Sequence, residues 1–262
     1  MIMMIRERRA IHMSLSTGIV RTLGALSTVT ALVGAAGLAG PAAGASTGRS
    51  AAGHSAAAAS VTEYAKWEME GSHGMIAVPG VDFPLGEIAT NGTRIRIADG
   101  KSTFMNEFTP FGAQFGSSRG RQYLMFGTAR GGKPSTTTLT FATPAPAKRW
   151  GFSLGDIDAD TVKVSAVGED DTALTADQLG WQSAFNYCEN PPRPSSCKRK
   201  VYSDEPKWDP ESSTLKGNVR DTDGAAGWFA PTVPVKSLSL EFAVQSGVPV
   251  GQLWIAATSR CV

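Results

Sequence analysis

From Val61 onward, apolar and polar residues alternate one by one, the pattern of strands with one buried and one solvated face. Ile95 and Ile97 alternate with Arg94 and Arg96, and Leu139 and Phe141 with Thr138 and Thr140. Val162 and Val164 alternate with Thr161, Lys163 and Ser165, and Leu238, Leu240 and Phe242 with Ser237, Ser239 and Glu241. Residues 123–126, 181–187 and 253–257 are further strand candidates. Turn signals separate them: Asn91-Gly92, Asp99-Gly100, Gly131-Gly132, Gly168 and Asp223-Gly224. Helical character is confined to one capped turn over 175–179. Many short strands without intervening helices predict an all-β domain over 61–262, an antiparallel sandwich of the jelly-roll kind.

The first 60 residues read differently. A basic stretch (Arg6, Arg8, Arg9, Arg21) precedes an apolar run over 23–39, then Pro41 and the small triplet Ala43-Gly44-Ala45. These are the three parts of a secretory signal, predicted over 1–45. The run is diluted by Gly, Ser and Thr and falls short of the roughly 20 apolar residues that a spanning helix needs. Cleavage is therefore expected rather than retention as an anchor. Residues 46–60, small and aperiodic, read as a flexible tether.

Export changes the charge. The signal carries four Arg and one Glu, so 21 basic and 22 acidic residues remain, and the whole-chain +2 becomes 21 − 22 = −1. A near-neutral surface has no electrostatic pull toward nucleic acid or anionic membrane. No insertion into a membrane is expected once the signal is removed.

Three cysteines lie beyond the signal: Cys188, Cys197 and Cys261. In an oxidising compartment Cys188 and Cys197 are expected to close a local loop containing Pro191, Pro192 and Pro194, leaving Cys261 over.

Two catalytic spellings fail on context. Gly116-Ser117-Ser118-Arg119-Gly120 spells a nucleophile elbow, but strand rather than helix follows it, and no histidine follows His73. Gly127 to Lys133 spells the start of a phosphate loop, but Pro134 stands where Ser or Thr belongs, and the segment reads as a hairpin turn. With His73 as the sole histidine of the domain, zinc chemistry has too few ligands. A carboxylate pair of the glycosidase kind is assembled in space, and nothing in the sequence nominates one.

Two acidic segments are better candidates. Asp156, Asp158 and Asp160 occupy alternate positions, so an extended chain would turn all three one way, an arrangement suited to Ca²⁺. They share parity with Trp150, Phe152 and Leu154, which would send them into the core unless Gly155 bulges or turns the chain. The rival reading is a solvated strand end. Asp221-Thr222-Asp223-Gly224 runs into Gly227-Trp228-Phe229. It reads either as a turn before core aromatics or as a sugar site, with Trp228 as platform and Asp221 and Asp223 as polar partners.

Taken together, Trp150-Gly151-Phe152, Asp156-Ile157-Asp158, the 162–166 strand and the terminal strands over 235–255 resemble secreted jelly-roll domains of exported and surface proteins of high-GC Gram-positive bacteria. The resemblance spans roughly 61–262 and implies a fold and a location, with no activity attached. The resulting expectation is a secreted, non-catalytic β-sandwich binding an extracellular or cell-wall glycan or protein, with Ca²⁺ as a candidate structural ion. Its rivals are a carboxylate-dependent glycoside hydrolase and an interaction or inhibitor module presenting the Cys188–Cys197 loop.

Overall fold

The expected alternation sorts side chains onto two faces of each strand, and the strands sort into two antiparallel sheets. In the computed structural model, which describes residues 60–198 and 202–259, the order opens with β1 (Val61–Tyr64), β2 (Lys66–Glu70), β3 (His73–Ala77), β4 (Gly86–Thr90) and β5 (Arg96–Ala98). Helix α1 (Pro110–Phe115) leads into β6 (Tyr123–Gly127), β7 (Ser135–Ala145), β8 (Trp150–Gly155) and β9 (Asp160–Gly168). Helix α2 (Ala176–Leu179) precedes β10 (Trp181–Asn186), β11 (Lys207–Asp209), β12 (Thr214–Lys216), β13 (Ala225–Phe229), β14 (Val235–Val244) and β15 (Val250–Ser259). The predicted signal over 1–45, almost all of the tether and Cys261 lie outside the described residues.

One sheet runs β10-β13-β8-β15-β6-β5, with β1 beside the second half of β15, and the other runs β11-β12-β9-β14-β7-β4-β3-β2. Within them, β6-β15-β8-β13 faces β7-β14-β9-β12, and the chain changes sheet at every step except from β9 to β12. That order is a jelly roll. The segment between Gly127 and Ser135, expected as a hairpin turn, is a crossover between the sheets, because β6 and β7 belong to different ones.

The core lies between the sheets. Leu139 and Phe141 of β7, Val162 and Val164 of β9, and Leu238, Leu240 and Phe242 of β14 meet Phe152 and Leu154 of β8 and Leu253 and Ile255 of β15. Phe126 packs edge-on against Phe242 at 5.7 Å, and Phe141 against Trp150 at 5.7 Å, each bridging the two sheets. Each such side chain contributes roughly 1.5–3 kcal/mol by leaving water.

A second apolar cluster covers the other face of the seven-stranded sheet. Tyr123, Trp228 and Trp254 are roofed there by Phe104, Phe111 and Tyr187. Helix α1 belongs to that roof. Thr109 caps it, accepting from the Gly112 amide at 3.1 Å, and Pro110 opens its first turn. At six residues it is too short to leave a helical period in the sequence. Helix α2 is the expected capped turn, with the reciprocal bonds of a capping box between Thr175 and Gln178. Trp208, which reads as a loop residue, sits in the short strand β11 and stacks on Trp181 at 5.7 Å.

Candidate functional site

The two acidic segments meet at one end of the sandwich. The chain turns at Asp156, which takes a positive φ of 63°, one residue after the glycine expected to turn it. Asp158 and Asp160 are then buried, 4% and 1% exposed, rather than solvated. Asp160 begins β9 and shares the inward parity of Val162 and Val164. Main-chain bonds fasten the segment: the amides of Gly217 and Val219 donate to the carbonyls of Asp160 and Asp158 at 2.9 and 3.2 Å.

Burial raises the Asp158 pKa to about 6, against an opposing hydrogen bond at 2.7 Å from the Ala159 amide to Oδ1. Burial, with the charges of Asp158, Asp156 and Asp221 added, raises Asp160 to about 8. Asp158 Oδ2 and Asp160 Oδ1 are buried without a hydrogen-bond partner. The field of Asp221 acts on both, so the structure places the second acidic turn beside the first.

Asp156, Asp158 and Asp160 are the residues of the calcium reading. Among the described residues, no three His, Cys, Asp or Glu side chains are placed to hold a metal ion. The turn at Asp156 breaks the extended spacing that would have aligned the three carboxylates. Asp223 instead accepts from the Lys198 amide at 2.8 Å. Asp204 receives Asn218 and Thr222, and Asn186 donates to the carbonyls of Asp204 and Asp223 at 2.8 and 2.9 Å. The end is a tied network of loops.

Trp228, the platform of the sugar-site reading, is buried at 8% exposure, as the core-aromatic reading has it. Phe111 and Phe115 pack edge-on against its ring at 5.7 and 6.1 Å, and its Nε1 donates to Ser183 Oγ at 3.2 Å. The β13 register explains this. Phe229 and Gly227 face the inter-sheet core, so Trp228 faces the second apolar cluster beneath α1. All six tryptophans are buried or half-buried, and none offers a free ring.

The Cys188–Cys197 disulfide is formed as expected. Its loop is tied to the body by hydrogen bonds while Glu189, Asn190, Pro191, Pro192 and Arg193 stay exposed. Buried Asn106 donates to the carbonyls of Asn190 and Pro192 at 3.1 Å each, and Arg193 donates to the Cys188 carbonyl and lies over the Tyr202 ring at 4.5 Å.

The outer face of the eight-stranded sheet carries a concavity. A groove of about 870 Å³ runs across β2, β3, β4 and β7. Strand pairing builds its floor in rows. Glu68 stands opposite Met75, Met75 opposite Glu87, Glu87 opposite Thr140, and Thr140 opposite Ser237. The next row runs Glu70, His73, Ala89, Thr138 and Ser239, with the Thr138 and Ser239 hydroxyls 2.9 Å apart. The alternate residues Trp67, Ile76, Ile88 and Leu139 face inward and are buried, so the core positions these polar groups. Gly74 has a local reason to be glycine: a Cβ there would lie 2.1 Å from the Glu68 carbonyl oxygen.

Glu68, Glu70 and Glu87 are exposed. None of the three forms an ion pair among the described residues, whereas Glu63, Asp99, Asp171 and Asp209 pair with Arg121, Lys101, Lys236 and Lys216. Nothing in the amino-acid pattern singles out these groove residues. The alternation Lys66-Trp67-Glu68-Met69-Glu70 signals a strand with glutamates outward, but the partners of that strand come from non-local pairing.

No protein-family profile matches the chain, and no curated protein sequence matches it. Among solved structures, the enzymatically active domain of tailspike protein 4 of bacteriophage CBA120 aligns at a TM-score of 0.31 and 10% identity, over 66% of this chain and 19% of that one. The xyloglucanase domain of NopAA, a type three effector from Sinorhizobium fredii, solved with cellobiose, aligns at 0.21 and 9%, over 77% and 99%. The chain thus spans about a fifth of the first of these. At such scores the two likenesses carry no argument about what this protein binds.

Proposed function

We propose that this protein is an extracellular, non-catalytic β-sandwich that binds a carbohydrate along the groove of its eight-stranded sheet. One observation carries the reading: an open face on which hydroxyls, carboxylates and an exposed apolar side chain stand in register across five strands. Thr138, Thr140 and Ser237 supply hydroxyls, Glu68 and Glu87 supply acceptors, and Met75, 41% exposed, supplies an apolar surface for the C–H face of a sugar. Adjacent strands lie about 4.8 Å apart, close to the rise of one unit in an extended β-linked chain, so a chain crossing the strands meets one row position per sugar. The disulfide suits an oxidising compartment, and no helix among the described residues is long and apolar enough to cross a membrane.

The hydrolase reading has less support. A glycosidase acid needs an apolar pocket that keeps its proton at working pH. The carboxyls raised in that way, Asp158 and Asp160, are sealed at the end of the sandwich, while the groove glutamates stand in solvent.

A glycan array probed with the mature protein, followed by titration of the best ligand, tests the proposal. The Met75→Ala, Thr140→Ala double variant should lose most of the affinity while unfolding at the same temperature, since both side chains point outward. Release of new reducing ends would favour the hydrolase, and a blank array would remove the carbohydrate reading.

A further inference from the structure

The groove that we read as a glycan site has a one-sided charge. Its walls hold Glu68, Glu70 and Glu87 and no Lys or Arg. The imbalance is local, because the chain beyond residue 45 is almost neutral. Two bases stand near without entering the groove. Lys66 lies two residues before Glu68 on β2, on a row opposite Ala77, and Lys163 faces Glu241 two strands beyond β7. The remaining titratable group is His73, opposite Glu70.

We infer that the groove selects a cationic glycan, a chain of amino sugars with free ammonium groups, over its neutral counterpart. The inference rests on the carbohydrate reading of the same groove and adds the sign of the ligand's charge. Glu68 and Glu87 flank Met75 on one row. A sugar chain crossing the strands rests its apolar face on Met75 and brings the substituents of the flanking units against the two carboxylates. A free amine at those positions is an ammonium that meets a carboxylate with no other cation to displace. An acetamido group there leaves the same carboxylate desolvated against a neutral amide. Hydroxyls at Thr138 and Thr140 favour a sugar over a basic peptide, because they accept and donate to ring hydroxyls that a lysine side chain lacks.

The test compares a β-1,4-linked glucosamine hexasaccharide with its fully N-acetylated form, by isothermal titration at low and at raised salt. The glucosamine chain should bind roughly five- to tenfold more tightly, the worth of two exposed ion pairs, and the preference should shrink as salt is raised. In Glu68→Gln, Glu87→Gln the preference should fall to near one, while Asp170→Asn, on a distant turn, should keep it. Equal or tighter binding of the acetylated chain would overturn the cationic inference and leave the glycan groove standing. Failure of both chains, with no other glycan bound, would overturn both readings. A hexalysine peptide binding as tightly as the glucosamine chain would show that charge alone is recognised, and would overturn the amino-sugar assignment.

Discussion

Asp160 stands opposite Val244 across the β9–β14 ladder, on the inward row that continues as Val162 and Val164. A carboxyl in that row has left water without a hydrogen bond to its Oδ1, and Asp158, Asp156 and Asp221 add their fields to the cost of ionising it. The folded state therefore prefers the protonated acid.

The sign of the resulting pH dependence follows. Unfolded, both acids ionise near the ordinary carboxylate value of about 4. Folded, Asp158 holds its proton to about 6 and Asp160 to about 8. Between those limits the native state binds more protons, so this contribution is complete below about pH 4 and is lost as pH rises toward 8. Asp160→Asn, which cannot ionise, should be less sensitive to pH over 5–8 than the parent and gain on it toward pH 8. Urea unfolding at several pH values measures this, and parallel profiles for parent and variant would show that Asp160 is ionised in the native state.

Asn106 ties the disulfide loop to the roof of the second apolar cluster. It is fully buried, its Nδ2 donates to two carbonyls of the loop, and its Oδ1 accepts from the Phe108 amide at 2.9 Å. Asn106→Ala leaves those groups without partners and should cost about 1–3 kcal/mol. Amide exchange should rise locally over 189–196. Reducing the disulfide should cost about 2–3 kcal/mol by the loop-entropy relation, for a sequence separation of 9. Peptide mapping under non-reducing conditions should recover Cys188 linked to Cys197.

The fold was legible from the sequence where one strand's own alternation decides its face. β7, β9 and β14 each carry at least two inward apolar residues in strict alternation, and each forms where expected. Legibility ended where burial depends on a neighbour. Trp228 follows Gly227 in a run of five buried residues, and a strand covered on both faces leaves no alternation to say which side a ring takes. Asp158 and Asp160 have a polar spelling, yet the loops over 217–222 and 245–246 close over them by main-chain bonds that no composition records. The groove was hidden for a related reason. Glu68, Met75, Glu87 and Thr140 are spread over 73 positions, and only the order β2-β3-β4-β7 lines them up.

Gly224 is a local test of how tightly the acidic end is tied. It has a φ of 93°, and a Cβ would lie 2.3 Å from Asn186 Oδ1 and 2.7 Å from Cys188 Sγ. Asn186 is the residue that joins this turn to Asp204 and, through the Cys188 amide, to the disulfide. Gly224→Ala therefore combines backbone strain with a displaced hydrogen-bonding hub. It should destabilise by more than the roughly 1 kcal/mol typical of a glycine replacement at positive φ. Gly71→Ala gives the comparison, because its φ is 61° and nothing lies within 4 Å of its Cβ position. Similar losses for the two would show that the hub adjusts freely.

Trp228→Ala separates the two readings of the aromatic turn. The ring is wedged between Phe111 and Phe115 on one side and the seven-stranded sheet on the other, with its Nε1 satisfied by Ser183. Truncation leaves a cavity that α1, held by its Thr109 cap, is poorly placed to fill. The expected loss is about 3–5 kcal/mol, or roughly 6–20 °C in melting temperature for a domain of about 200 residues. Ligand affinity measured well below the transition should be retained, because the groove lies on the opposite sheet. Trp228→Phe should recover part of the stability by refilling most of the volume, although it loses the hydrogen bond to Ser183. A variant that keeps its melting temperature but loses the ligand would place the site at this ring and remove it from the groove.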